Sequence, residues 1–139
     1  MAAKVTARDD AVARWLRDRG CSDQVVAGGL EGLLARWEAF VDTVDGYPFT
    51  LDDYLNDLDV RDLLAGALVV APVAEAEAAR ERLAVVDARM RAQVVPAGGC
   101  LWGEAVAEDE GWTPATHWWY FTRPRRPGDQ LAEDLGSRQ

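Results

Sequence analysis

The sequence has few of several residue types, and these shortages limit what can be inferred from it. Among 139 residues there are one lysine, one asparagine, one histidine, two cysteines and no isoleucine, whereas arginine and alanine are abundant. We interpret this bias as the codon usage of a GC-rich, bacterial genome. The preference for arginine over lysine is therefore not evidence of bidentate phosphate binding.

Long apolar runs are also missing. No run approaches the roughly 20 apolar residues that are needed to cross a bilayer. The first ten residues, MAAKVTARDD, lack the apolar stretch of a signal peptide. We therefore expect a cytoplasmic protein with no membrane partner. In that compartment Cys21 and Cys100 are expected to be free thiols rather than a disulfide.

Positive charge is in the minority. Lysine and arginine number 15 against 24 aspartates and glutamates, which gives a net charge of −9. This balance argues against a nucleic-acid partner and favours either a basic protein partner or simple solubility. The length and the 49% hydrophobic content predict a single domain, residues 1–139, with a buried core. A homo-oligomer is compatible with the same composition.

Sequence motifs for catalysis and for metal binding are not found. The chain has no P-loop, dinucleotide fingerprint or serine nucleophile motif. It has no CxxC or HxxxH spacing, and twelve-residue windows from Asp53 and Asp57 end in leucine rather than in the glutamate of an EF-hand. We therefore expect no catalytic residue, no metal and no cofactor.

Apolar spacing indicates a mainly α fold. After the N-cap Ser22, apolar residues recur every three or four positions up to Gly46, which predicts a long helix with one buried stripe. Residues 74–94 repeat the pattern, and 7–19 predict a shorter helix. The two stripes consist of Val26, Leu30, Leu33, Trp37, Phe40 and Val44, and of Ala76, Ala79, Leu83, Val86 and Met90.

A further helix is expected after Thr50, which forms a weak capping box with Asp53. Leu51, Tyr54, Leu55 and Leu58 follow at helical spacing. Continuing that face would turn Arg61 and Asp62 inward, so we predict a break near Leu58–Asp59, where the aspartate would cap a new helix.

The composition changes at Pro96. The residues that follow contain glycine and proline throughout and include four of the six tryptophans. The runs CLWGEAV and THWWYFT flank a polar segment and predict a β-hairpin, and residues 129–135 predict a last helical turn. The complete prediction is a mainly α bundle of four to five helices in residues 1–95, with an aromatic-rich hairpin and a C-terminal tail in residues 96–139 packed on it.

The aromatic run from His117 to Phe121 is the first candidate site. On a strand, Trp118 and Tyr120 would face opposite to Trp119. If one face covers the bundle, the other exposes large aromatic side chains, and such patches mark partner surfaces. The alternative is that both faces are buried, one by the bundle and one by the C-terminal tail.

An acidic stretch between residues 42 and 62 is the second candidate site. It contains seven aspartates and a single arginine, and Asp52, Asp53 and Asp57 are the residues that we expect to bind a basic partner. The alternative is a solvated face with helix caps. Arg123 begins a small basic island, RPRRP, which belongs to the same predicted surface or pairs with the chain's own aspartates.

Two functions follow from these features. The first is a non-catalytic, acidic protein-interaction module of the immunity, antitoxin or adaptor kind, which binds a basic protein. The second is a small enzyme or ligand-binding protein with a pocket between the bundle and the hairpin of residues 100–121. Cys100 and His117 would then be the nucleophile and base, because a hairpin can bring them together.

Overall fold

The computed structural model of the protein describes residues 11–137, so the start of the predicted first helix and the last two residues lie outside the described range. Within it, the fold class is the predicted one: mainly α, with a small two-stranded antiparallel sheet in the C-terminal part. The elements are α1 (11–18), α2 (Asp23–Val41), α3 (Leu51–Val70), α4 (Val73–Arg91), β1 (Val94–Pro96), α5 (Glu104–Glu110), a 3-10 turn (Trp118–Tyr120), β2 (Thr122–Pro124) and α6 (Asp129–Ser137).

Helix α2 is the central element, since it contacts both α3 and α4. Ser22 caps it as predicted, with its side chain accepting the backbone N–H of Val25 at 3.3 Å. All six residues of its predicted stripe are buried. The helix ends at Val41, earlier than the predicted end at Gly46. In the turn that follows, the backbone N–H and the hydroxyl of Thr43 both donate to the carbonyl of Phe40, at 2.8 and 2.7 Å.

Helices α3 and α4 complete the bundle. The capping box of Thr50 and Asp53 forms with both of its reciprocal hydrogen bonds. All five residues of the predicted α4 stripe are buried. Of the described residues, none belongs to a helix with the length and apolar character that a membrane span requires.

The predicted break in α3 is wrong, because the helix runs without interruption through Leu58–Asp59. The charged residues that argued for a break have partners from other elements. Arg61 forms a bidentate pair with Asp87 of α4, at 3.1 and 2.9 Å. Asp62 lies 3.3 Å from His117. Charges on an inward-facing side of a helix are tolerated when such partners satisfy them.

The two strands also lie elsewhere than predicted. The sheet pairs β1 with β2, in the register Val94 with Pro124 and Pro96 with Thr122. Instead of a strand, CLWGEAV contains a turn and the beginning of α5. This helix starts after Gly103 and is terminated by Gly111 in the left-handed conformation. The segment EAVAEDE has good helix formers, so local helix formation prevails over a pairing that needs a distant partner.

The aromatic run is a 3-10 turn rather than a strand. On a strand, consecutive side chains would alternate between two faces. In the turn, Trp118, Trp119 and Tyr120 are all buried and join the same hydrophobic cluster as the helices. The fold thus places the aromatic segment of residues 100–121 against α3, and this contact shapes the site.

Candidate functional site

The predicted aromatic site is buried. Trp118, Trp119 and Tyr120 are 8%, 2% and 1% exposed. Arg91 lies over the ring of Trp118 at 4.2 Å from its centroid, and Arg61 lies over that of Trp119 at 4.3 Å. All three side chains are therefore buried, as in the alternative interpretation, but the guanidinium groups over Trp118 and Trp119 come from α4 and α3 and not from the C-terminal tail.

The predicted acidic residues serve mainly local roles. Asp53 belongs to the capping box with Thr50. Asp57 is partly buried and accepts a hydrogen bond from the hydroxyl of Tyr47 at 2.6 Å. Burial raises the pKa of Asp57, and this hydrogen bond opposes the rise. Only Asp52 among the three is exposed without a hydrogen bond or ion pair inside the described range.

The basic island is divided between two environments. Arg126 pairs with Asp45 through two hydrogen bonds of 2.9 and 3.0 Å, which agrees with pairing to the chain's own aspartates. Arg123 is half-buried in β2, opposite Val95. No hydrogen bond or ion pair among residues 11–137 joins Arg123 to the predicted acidic residues, and the aromatic residues of the predicted surface are buried.

Cys100 and His117 occupy different environments. Cys100 is buried and borders a cavity of about 460 Å³ that also touches Glu104, and His117 is not part of its lining within residues 11–137. The Nε2 atom of His117 lies 3.3 Å from Asp62, and its Nδ1 atom lies 2.9 Å from the hydroxyl of Thr116. No described hydrogen bond joins the thiol and the imidazole.

A cleft of about 560 Å³ lies between the bundle and the segment of residues 100–121, where the second hypothesis placed a pocket. Three parts of the chain form its walls: the turn after α1, the middle of α3, and the loop-rich segment around α5. We call it the acidic cleft. Its lining residues are Arg19, Gly20, Cys21, Asp59, Asp62, Leu63, Trp102, Val106, Glu110, Trp112 and Tyr120.

Asp59 is held in the acidic cleft by hydrogen bonds from the C-terminal segment. Its Oδ1 atom accepts two hydrogen bonds, from the hydroxyl of Tyr120 at 2.6 Å and from Nε1 of Trp102 at 3.3 Å. Burial raises the pKa of Asp59, the charge of Asp62 adds to the rise, and the two hydrogen bonds oppose it. Burial and the hydrogen bond to Asp59 raise the pKa of Tyr120, which keeps its hydroxyl a donor.

Aromatic rings form the opposite side of the cleft. Trp112 stacks on Tyr120, with centroids 4.2 Å apart and planes inclined by 19°. The imidazole of His117 lies 5.5 Å from the Trp112 ring, and Asp62 contacts that imidazole. The α3 carboxylates therefore face a wall whose rings are held in place by their own neighbours.

The acidic cleft combines carboxylates with aromatic rings. Among residues 11–137, its lining contains the carboxylates of Asp59, Asp62 and Glu110 and one basic residue, Arg19. Aromatic faces and carboxylates are both attractive to organic cations. Within residues 11–137, no group of three or more histidine, cysteine or acidic side chains is arranged to hold a metal ion. The arrangement favours an extended organic cation over a bare metal.

No family model, no curated protein and no solved structure matches this chain.

The sequence held partial signals for the acidic cleft. Asp59 and Asp62 are spaced by three residues, which places them on one helical face. Trp102 and Trp112 belong to the tryptophan-rich C-terminal segment. Nothing in the local pattern joins the two sets, because Trp102 and Tyr120 reach Asp59 across 43 and 61 residues of the chain.

Proposed function

We propose that this protein is a non-catalytic interaction module that binds a basic segment of a partner protein in the acidic cleft. The observation that carries the proposal is the meeting of Asp59, Asp62 and Glu110 with the rings of Trp102 and Trp112 around one open cavity. Its volume of about 560 Å³ lies within the range of typical binding sites.

The surroundings of the cleft support a segment rather than an isolated ion. Helix α5, which supplies Glu110, also presents Glu108 and Asp109 to solvent, and none of these three carboxylates has an ion pair inside the described range. We call Glu108 and Asp109, which lie outside the lining of the cleft, the acidic rim. A basic segment could place one side chain in the cleft and others along the rim. The net charge of −9 would speed its approach by electrostatic steering.

The surface predicted from the sequence differs from this one. Partner binding by Asp52, Asp53 and Asp57 remains a prediction. Asp53 already belongs to the helix cap with Thr50, and Asp57 already accepts the hydrogen bond of the Tyr47 hydroxyl. Asp52 is the residue whose replacement leaves those local contacts intact. It therefore distinguishes the two surfaces in an experiment.

The test is a binding titration of the full chain with a fluorescently labelled nonapeptide in which arginine and lysine alternate with serine. Anisotropy should rise saturably and the affinity should fall with salt, because exposed charges are screened over about 8 Å at physiological ionic strength. Asp59→Asn and Asp62→Asn keep the shape and the acceptor oxygen. Each should weaken binding by about tenfold or more, because a hydrogen bond to a charged group contributes about 1.5–3 kcal/mol.

Asp52→Asn is the matched control, since it removes one carboxylate of α3 outside the cleft. It should change the affinity by less than about twofold, the effect of a single exposed charge. Wild-type affinity in both cleft variants would refute the proposed site. A large loss in Asp52→Asn with none in the cleft variants would transfer the binding site to the surface predicted from the sequence.

A small organic cation is the second candidate ligand, and the meeting of carboxylates and aromatic rings within one cleft favours it. N-acetylarginine amide, titrated alone, separates the two possibilities. If it binds as tightly as the nonapeptide, the cleft is the whole site and the rim contributes nothing. If Glu108→Gln and Asp109→Asn weaken the peptide but not the amide, the ligand is a segment.

A further inference from the structure

A second carboxylate in the bundle shows how this fold holds a guanidinium. Arg61 donates from Nε and Nη2 to the two oxygens of Asp87, at 3.1 and 2.9 Å, and Nε1 of Trp37 donates to the same carboxylate at 3.0 Å. The guanidinium also lies 4.3 Å from the ring centroid of Trp119. One carboxylate, one indole N–H and one ring face thus surround an arginine.

Asp59 has the same surroundings without the arginine. Nε1 of Trp102 donates to its Oδ1 atom, as Trp37 does to Asp87, and the hydroxyl of Tyr120 donates there too. No described hydrogen bond reaches its Oδ2 atom, and no cation in residues 11–137 pairs with it. Trp112 lines the same cleft, and because Tyr120 stacks on one of its faces, a guanidinium would contact the rest of its ring.

We propose that the acidic cleft is a receptor for one guanidinium, supplied by an arginine of the basic segment, which pairs with Asp59 and Asp62 and lies against Trp112. This inference rests on the proposed function and specifies the side chain that the cleft selects. A guanidinium donates through a planar fork to two oxygens while its face contacts an aromatic ring. The compact ammonium of lysine cannot make both contacts in one plane.

Arg19 does not fill this position. It lies on the wall of the cleft and is exposed, and its guanidinium is placed over the ring of Trp15 at 4.8 Å from the centroid. It pairs with no carboxylate among the described residues. Arg19 therefore acts as a like charge at the entrance, and Arg19→Gln should raise the affinity for a cation by about twofold to fivefold.

The experiment compares three nonapeptides that differ only at the central residue, which is arginine, lysine or the neutral citrulline, with lysine and serine at the other positions. Binding to the full chain is followed by anisotropy and by the NMR shift of the Trp102 indole N–H. The arginine peptide should bind about fivefold to tenfold more tightly than the lysine peptide. It should also shift the Trp102 signal, and the citrulline peptide should bind most weakly.

Variants assign the selectivity to the acidic cleft. Asp59→Asn should abolish the preference for arginine over lysine, whereas Asp52→Asn should preserve it at wild-type strength. Folding of each variant is checked by its thermal unfolding midpoint. Trp102→Phe, which keeps a ring and removes the indole donor, should retain binding with a reduced preference, because Asp59 is then less firmly oriented.

The outcomes separate this inference from the proposed function. Equal binding of the arginine and lysine peptides, with both weakened by Asp59→Asn, would overturn the guanidinium receptor and keep the interaction module. A preference for arginine that survives Asp59→Asn would place the selective contact elsewhere and also overturn it. Absence of binding by all three peptides would overturn both.

Discussion

Gly29 has a backbone conformation that other residues rarely adopt. It interrupts α2 with φ 58° and ψ −152°, in a region that is almost exclusive to glycine. A Cβ atom at this position would meet nothing within 4 Å, so only backbone strain opposes a side chain. Gly29→Ala should lower the free energy of unfolding by about 1–3 kcal/mol, measured by urea denaturation.

Gly32 is the matched control in the same helix. A Cβ atom there also meets nothing within 4 Å, but the residue has helical dihedral angles. Gly32→Ala should raise the free energy of unfolding by about 0.5–1 kcal/mol, because alanine loses less backbone entropy in a helix. A similar effect of the two substitutions would contradict the kink at Gly29.

The hydroxyl of Tyr54 is buried without a hydrogen-bond partner. An unsatisfied buried polar group costs about 1–3 kcal/mol. Tyr54→Phe should therefore leave the stability unchanged or raise it by about 1 kcal/mol.

Tyr47→Phe should lower the stability by about 1.5–3 kcal/mol, because the hydroxyl of Tyr47 donates to the carboxylate of Asp57. Chemical denaturation measures both, and a clear loss of stability in Tyr54→Phe would show that its hydroxyl has a partner.

Among the elements, α1 packs on α3 through the ring of Trp15, while Val12 and Leu16 of α1 are buried in the core. The ring of Trp15 lies directly against the backbone of Gly66, where a Cβ atom would overlap its ring atoms. Gly66→Ala should therefore destabilise the protein by about 1–3 kcal/mol, as overpacking does. It should also speed the reaction of Cys21 with a thiol reagent, since Cys21 lies in the turn after α1.

A double-mutant cycle tests the origin of that effect. In the background of Trp15→Ala the ring is absent, and Gly66→Ala should then stabilise α3 by about 0.5–1 kcal/mol through helix propensity. A reversal of sign between the two backgrounds identifies the contact. An equal loss in both would mean that Gly66 is required for another reason.

At the scale of the whole molecule, the buried tyrosines make the protein sensitive to alkali. Burial raises the pKa of Tyr47, Tyr54 and Tyr120, and hydrogen bonds to aspartates add to the rise at Tyr47 and Tyr120. Above about pH 10 the unfolded chain loses these protons while the folded protein keeps them. The folded state then binds more protons, so stability falls as the pH rises.

The expected slope is up to about 1.4 kcal/mol per pH unit for each phenol that stays protonated in the folded state. This slope is measured by denaturation curves at several pH values between roughly pH 8 and pH 11.5, a range that spans the tyrosine pKa. Tyr54→Phe removes one of the three phenols, so it should reduce the slope by the contribution of that phenol. A free energy of unfolding that is constant over this range would contradict the burial of the three hydroxyls.

Much of the helical architecture was predictable from the sequence. The stripes of α2 and α4, the cap at Ser22 and the capping box of Thr50 with Asp53 were predicted and are present. Periodicity and capping depend on residues that lie within a few positions of one another. Such interactions form in the same way whatever the rest of the chain does.

The continuity of α3, the position of the sheet and the acidic cleft were decided by tertiary structure. Arg61 can lie on the inward face of α3 because Asp87 of α4 pairs with its guanidinium. Asp59 can lie there because Trp102 and Tyr120 of the C-terminal segment donate hydrogen bonds to its carboxylate. The desolvation cost of a carboxylate is a property of the residue, but its compensation requires partners that are distant in the sequence. Local patterns record the cost of burying a charge but not the partners that offset it, which is why the sequence predicted a break where the folded protein has the acidic cleft.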